Sequence, residues 1–110
     1  MITRTWHGRT RSHDAEIYRN YVINTGIKDL TSTNGNLGAQ IWQKAEGDIT
    51  HIWVISWWKD TDSIRSFAGD EIEIARYYEH DKNHLLEFEP NVNHFETWDF
   101  TPVTTIQPPV

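Results

Sequence analysis

The stretch Ile49-Thr50-His51-Ile52-Trp53-Val54-Ile55-Ser56-Trp57-Trp58 decides the fold. Successive side chains on a strand point to opposite faces. Ile52 and Val54 then share one face, while Ile49, Trp53, Ile55 and Trp57 share the other. A strand that is bulky on both faces has to be covered on both. Its apolar run, Ile52–Trp58 broken by Ser56, has strand length and falls well short of the ~20 apolar residues of a membrane span.

Reading outward, Glu46-Gly47-Asp48 is a short hairpin turn, and Leu37–Lys44 before it is a strand. Leu37, Ala39 and Ile41 face one way there, with Gln40 and Trp42 the other. Ile2–Gly8 alternates and is rich in β-branched and aromatic residues, which predicts the first strand. Between them, Ala15, Tyr18, Tyr21, Val22 and Thr25 follow helical spacing, with Ser12 or His13 as cap and Gly26 as the stop. Asn34-Gly35 is a strong turn pair. After the deciding stretch, Asp60 or Thr61 caps a second helix with Ile64, Phe67 and Ala68 inward. Gly69 interrupts it. Asp70–Tyr78 is expected to be helical again, and Glu79–Leu86 to add another turn. Pro90 marks a break before a last strand, Val92–Asp99. The segment 101–110 holds three of the four prolines and reads as an extended tail.

The order β-α-β-β-α-β is the split βαβ, or ferredoxin-like, arrangement of an α+β protein. Residues 1–100 form a single domain. Both helices cover one face of an antiparallel sheet, which leaves the other face bare. Because the deciding strand is apolar there too, a homodimer packed sheet to sheet is expected, with two-fold symmetry.

Composition narrows the function classes. The chain has 110 residues and no cysteine, which excludes disulfides, thiolate zinc sites, iron–sulfur clusters and Cys nucleophiles. A net charge of −6 and an isoelectric point near 5.4 argue against nucleic acid and anionic membranes as partners. The N-terminal residues lack a signal-peptide apolar run, so a soluble, cytoplasmic protein is expected. No phosphate loop, dinucleotide fingerprint or serine nucleophile elbow is present, so no flavin or nicotinamide cofactor is expected. Six tryptophans stand against a mean hydropathy of −0.66. All six fall on predicted strands, which ties the aromatic excess to a sheet buried on both faces.

Several segments are familiar together. Thr5-Trp6-His7-Gly8, Asn34-Gly35-Asn36-Leu37-Gly38, Trp58, Ser63-Ile64-Arg65-Ser66-Phe67-Ala68-Gly69-Asp70, Ala75-Arg76-Tyr77-Tyr78, Asp81 and the run from Leu85 to His94 resemble the antibiotic biosynthesis monooxygenase family. The resemblance spans residues 2–98. It implies a dimeric α/β barrel of ferredoxin-like protomers, each with a pocket between sheet and helices. Members share the barrel and differ in chemistry. Some oxidise polycyclic phenols with O₂ and no cofactor, others bind and degrade haem, and many small ones have no assigned reaction.

The resemblance also supplies candidate residues. Trp6 and His7 are strand neighbours, so one faces the pocket and the other the partner subunit. His7 stands where haem-degrading relatives carry an Asn, which favours His7 for the pocket, as hydrogen-bond partner or base for a phenol. The competing reading is a structural histidine. Trp58 matches a tryptophan common in the family, although it could simply pack the helix start. Phe67 and Tyr77 stand where haem-degrading relatives carry a second Trp and the axial His, which weakens a haem reading and leaves both as pocket walls or core. His80 and His84 have the spacing of two metal ligands, but no third ligand is evident and a solvated surface is preferred, so no metal is expected. His94 could reach the subunit interface. The leading reading is a small dimeric enzyme, monooxygenase-like, that oxidises or binds an aromatic or apolar small molecule. Its catalytic candidate is His7, and Trp6, Trp58, Phe67 and Tyr77 would contact the substrate. The alternatives are a non-catalytic ligand-binding or stress protein, and a haem binder.

Overall fold

The structure is a computed structural model and describes residues 1–99 and Thr101. The predicted tail, apart from Thr101, lies outside the described residues. Four strands form one antiparallel sheet: β1 (Ile2–Arg11), β2 (Asn36–Glu46), β3 (Ile49–Trp58) and β4 (Asn93–Glu96). Their spatial order is β2-β3-β1-β4, the ferredoxin-like order. The deciding stretch is β3 over its full length, and it pairs with β1 from Ile2↔Trp58 to Arg11↔Ile49. A tight turn at Gly47-Asp48 joins it to β2, with Glu46 opposite Ile49 and Gly47 at φ +61°.

Register assigns the faces. Arg4, Trp6 and Gly8 pair with Ser56, Val54 and Ile52, so all six point to the helix side. His7, Arg9, Trp53 and His51 point to the other side. The core forms where Ile52, Val54 and Trp58 meet Tyr18, Val22, Leu30 and Ile64 from the helices. Fully removing such side chains from water is worth about 1.5–3 kcal/mol each, which makes this layer the main source of stability. Gly8 is required by close approach: a Cβ there would fall 2.6 Å from Cη2 of Trp6 and 2.8 Å from Leu85.

The first helix departs from the expected pattern. α1 (Ala15–Val22) does not stop at Gly26 but passes through a π-helical segment, Ile23–Ile27, into α2 (Lys28–Thr31). Within the widened turn, the Thr25 hydroxyl donates to the Tyr21 carbonyl at 2.8 Å. α3 (Thr61–Ala68) begins where predicted, with the Asp60 carboxylate accepting from the Ser63 N–H at 2.8 Å. It ends at Gly69, which takes φ +90°. Gly35, at φ +89°, lets the preceding turn dock on this helix, since a Cβ would fall 1.9 Å from the Ser63 Oγ.

Residues 70–78 are not helical. Their backbone is claimed by the segment before β4: Ala75 N–H donates to Pro90 O, and Val92 N–H to Glu73 O. These long-range bonds replace the i→i−4 ladder a helix would need. Residues 79–86 hold only a 3₁₀ turn, Asp81–Asn83, and Leu85 then bridges to Thr10 on the edge of β1. No helix among the described residues is long and apolar enough to cross a membrane.

Candidate functional site

A cavity opens between the sheet and the helical layer; counted together with the open solvent at its mouth, its empty space is about 510 Å³. The sheet contributes Arg4 and Trp6 from β1, and Val54 and Ser56 from β3. The helical run contributes Tyr18, Val22, Thr25, Gly26 and Leu30, and α3 contributes Phe67. Arg76, Tyr78 and Asp81 close it from the irregular segment that follows. The π segment therefore lines the cavity, in keeping with the frequent placement of π turns at functional sites. Gly26 sits in that segment within contact distance of Tyr78, whose ring would lie 3.6 Å from an added Cβ.

Four aromatic rings and an aliphatic floor make the lining apolar, and its polar groups are mutually restrained. Asp81 is buried and accepts from the Tyr18 hydroxyl at 2.8 Å and from the Tyr78 N–H at 2.6 Å. Burial, reinforced by the Asp81 charge, pushes the Tyr18 phenol far above its ordinary range, so it stays a donor. Tyr78 is also pushed up, by burial and by its 2.8 Å hydrogen bond to Asp29. Arg76 is tied down three ways: Nη2 lies 3.1 Å from Asp29 Oδ2, Nη1 donates to Phe67 O at 2.8 Å, and the guanidinium lies over the Phe67 ring at 5.0 Å.

Arg4 differs from Arg76. It is only 4% exposed, and its Nη1 donates to Ile72 O at 2.6 Å and to His94 Nε2 at 3.0 Å. Its guanidinium lies over Phe67 at 5.7 Å. Burial lowers its pKa to about 10, although Glu73 opposes this. Because Arg4 can only donate, His94 Nε2 is the acceptor and the imidazole proton belongs on Nδ1. That nitrogen is buried without a partner. Burial and the Arg4 charge both hold the His94 pKa down. His94 thus turns toward the helix side and Arg4, not toward the bare sheet face.

The residues expected at the site separate into three groups. Trp6 and Phe67 line the cavity. Trp58 and Tyr77 stand behind them. Trp58 is fully buried, donates to Ser56 Oγ at 2.9 Å and backs Phe67 at 5.8 Å between ring centres. Tyr77 packs edge-on to Trp6 at 6.2 Å, and its hydroxyl donates to Glu89 O at 2.5 Å. The buried Trp6 N–H has no hydrogen bond of good geometry, yet it lies near enough to the Tyr77 phenol to offset part of the rise that burial causes there.

His7 does not line the cavity, which corrects the expectation that it, rather than Trp6, faces the pocket. The β1–β3 register sends its side chain to the opposite face of the sheet. There Nδ1 lies 2.5 Å from Glu89 Oε2, Nε2 lies 2.8 Å from His51 Nδ1, and the ring tilts against Trp53. His51 Nε2 in turn lies 3.4 Å from Glu46. His80 and His84 take different partners: His84 Nδ1 lies 2.5 Å from Asp14 Oδ2, whereas His80 is exposed.

Arg4, Tyr18, Arg76, Tyr78 and Asp81 complete the lining and were not singled out as site residues. One signal existed for Arg4. It alternates with Ile2 and Trp6 on the apolar side of β1, where a charge is out of place unless it has work to do.

Neither a protein-family model nor a curated protein matches the chain. Among solved structures, one from Bacillus cereus, provisionally described as an antibiotic biosynthesis monooxygenase, is similar with a TM-score of 0.58 and 14% identity. The match covers 97% of this chain and 98% of that one. The chain shares the ferredoxin-like fold of that structure. Within this fold, activity has to be argued from the site's own residues.

Proposed function

We propose that the cavity binds a flat aromatic or otherwise apolar small molecule, and that the protein is a monooxygenase-like homodimer. The observation that carries the binding reading is the lining itself: Trp6, Tyr18, Phe67 and Tyr78 surround a mostly apolar space, with a few polar groups to orient a ligand. The homodimer reading rests on the bare sheet face. Trp42 on β2 and Phe95 on β4 are 52% and 56% exposed, on the same side as Trp53 and Trp57. Packing two such faces together gives the dimeric α/β barrel.

The reaction suited to such a cavity is cofactor-free oxidation by O₂. A bound phenol loses its proton, and its carbanion-like ring passes electrons to O₂. One oxygen atom enters the ring to give a quinone and the other leaves as water. The protein supplies a dry aromatic slot and excludes competing water. His7 lies across the sheet from this space, and Asp81 already holds two donors. That placement favours a second reading, in which the same cavity binds a ligand without turning it over.

An oxygen electrode with a panel of polyphenols separates the two. Consumption above the protein-free rate supports oxidation. Tight binding by tryptophan fluorescence with no consumption supports the binding protein. Absence of both, in folded protein, contradicts the proposal.

A further inference from the structure

Among the described residues, Arg4 is a buried cation with no ion pair. Every ion pair among the described residues involves other side chains, and Glu73 influences Arg4 from beyond ion-pair distance. Its hydrogen bonds all leave from Nη1 and reach two neutral acceptors, Ile72 O and His94 Nε2. No described residue accepts from Nε or Nη2. A guanidinium has five donors arranged to match a planar anion, so a usable edge remains.

A buried charge without a counter-ion is costly, and fully buried arginines are normally paired. Arg76, the other cation of the lining, already has Asp29. Asp81, the one acid of the lining, is shielded by the Tyr18 hydroxyl and the Tyr78 N–H. The unmet demand therefore falls on Arg4, beside the Phe67 ring against which a flat ligand would lie.

We propose that Arg4 recognises an anionic oxygen on the ligand, so that the cavity selects aromatic carboxylates or phenolates over neutral aromatics of the same size. This rests on the cavity being the ligand site. Charge-assisted hydrogen bonds are about twice as strong as neutral ones, and in a water-poor cavity the preference should reach about tenfold or more. A phenol bound here would also ionise more readily than in water, because the cation stabilises its oxyanion.

Three probes test this with the intact protein: 2-naphthoate, 2-naphthol and the neutral 2-naphthalenemethanol. The expected result is at least tenfold tighter binding of 2-naphthoate than of 2-naphthalenemethanol, or a lower ionisation pH for bound than for free 2-naphthol, read from its absorbance. The first result points to a carboxylate and the second to a phenolate. In Arg4→Gln either advantage should vanish while 2-naphthalenemethanol still binds, which also reports a folded cavity. Arg4→Lys, which keeps the charge but loses the fork, should retain part of it. If the wild type binds 2-naphthoate and 2-naphthalenemethanol equally and does not shift 2-naphthol, the assignment of Arg4 is overturned and the cavity reading survives. If none of the three binds, both are overturned.

Discussion

Arg4 and Phe67 meet at the cavity wall, the guanidinium carbon 5.7 Å from the centre of the ring. Trp58 backs the same ring at 5.8 Å and the Arg76 guanidinium lies over it at 5.0 Å, so Phe67 is fixed by two cations and a buried indole. A wall clamped in this way is preorganised, and ordering it costs a ligand little. Phe67→Ala should weaken aromatic ligand binding by about tenfold or more, at roughly 1–2 kcal/mol per lost aromatic contact. Because Phe67 is half-buried, stability should fall by about 2 kcal/mol, below the range for a fully buried Phe. Isothermal titration and urea unfolding measure the two effects separately.

His7 supplies the complementary case. Its side chain lies across the sheet from the cavity, so His7→Ala should leave ligand affinity within about twofold of wild type, an energy below RT. Stability should drop by about 1 kcal/mol through loss of the bonds to Glu89 and His51. A tenfold loss of affinity in an otherwise folded variant would place the ligand on the His7 face.

The pH dependence of stability should carry a signature of His94. Its folded pKa is depressed below the ordinary 6.5 by burial and by Arg4, with Glu73 opposing. The unfolded chain then binds the proton more readily than the folded one. The contribution is fully present above pH 6.5 and is lost as the pH falls from there through the depressed folded pKa. His94→Gln should flatten the stability profile over that window relative to wild type, as measured by chemical unfolding at stepped pH.

The bare sheet face should hold the dimer. Sedimentation of the wild type should give twice the 13.0 kDa chain mass. Trp42→Glu places a charge on that face at a half-exposed position and should shift the equilibrium toward monomer without unfolding the chain. A wild type that stays monomeric at high concentration would contradict the sheet-to-sheet arrangement.

The sheet was legible in sequence because alternation is local. Ile49–Trp58 declares both of its faces by itself, and the hairpin follows from Gly47-Asp48. The irregular segment 70–80 was not. Its apolar spacing is compatible with a helix, but its backbone is taken by Pro90 and Glu73–Val92 pairing, which no local pattern reports. Gly26 was misleading for a similar reason: a glycine that usually ends a helix here sits inside a π turn lining a cavity. At the site, the strand pattern shows that Trp6 and His7 point apart, yet which of them faces the helices is fixed by register with β3. Trp6 opposite Val54 settles it. Arg4 shares that face; alternation shows a charge among apolar neighbours, but that no described carboxylate pairs with it is visible only in three dimensions.

The most direct test of the central claim follows the indole N–H resonances of the six tryptophans while 2-naphthoate is added. Trp6 lines the cavity, whereas Trp42 and Trp53 lie on the opposite face. With the Trp6 signal assigned by a Trp6→Phe variant, the account predicts a saturable shift at Trp6 and still signals at Trp42 and Trp53. Saturable shifts at Trp42 or Trp53, with Trp6 unmoved, would contradict it.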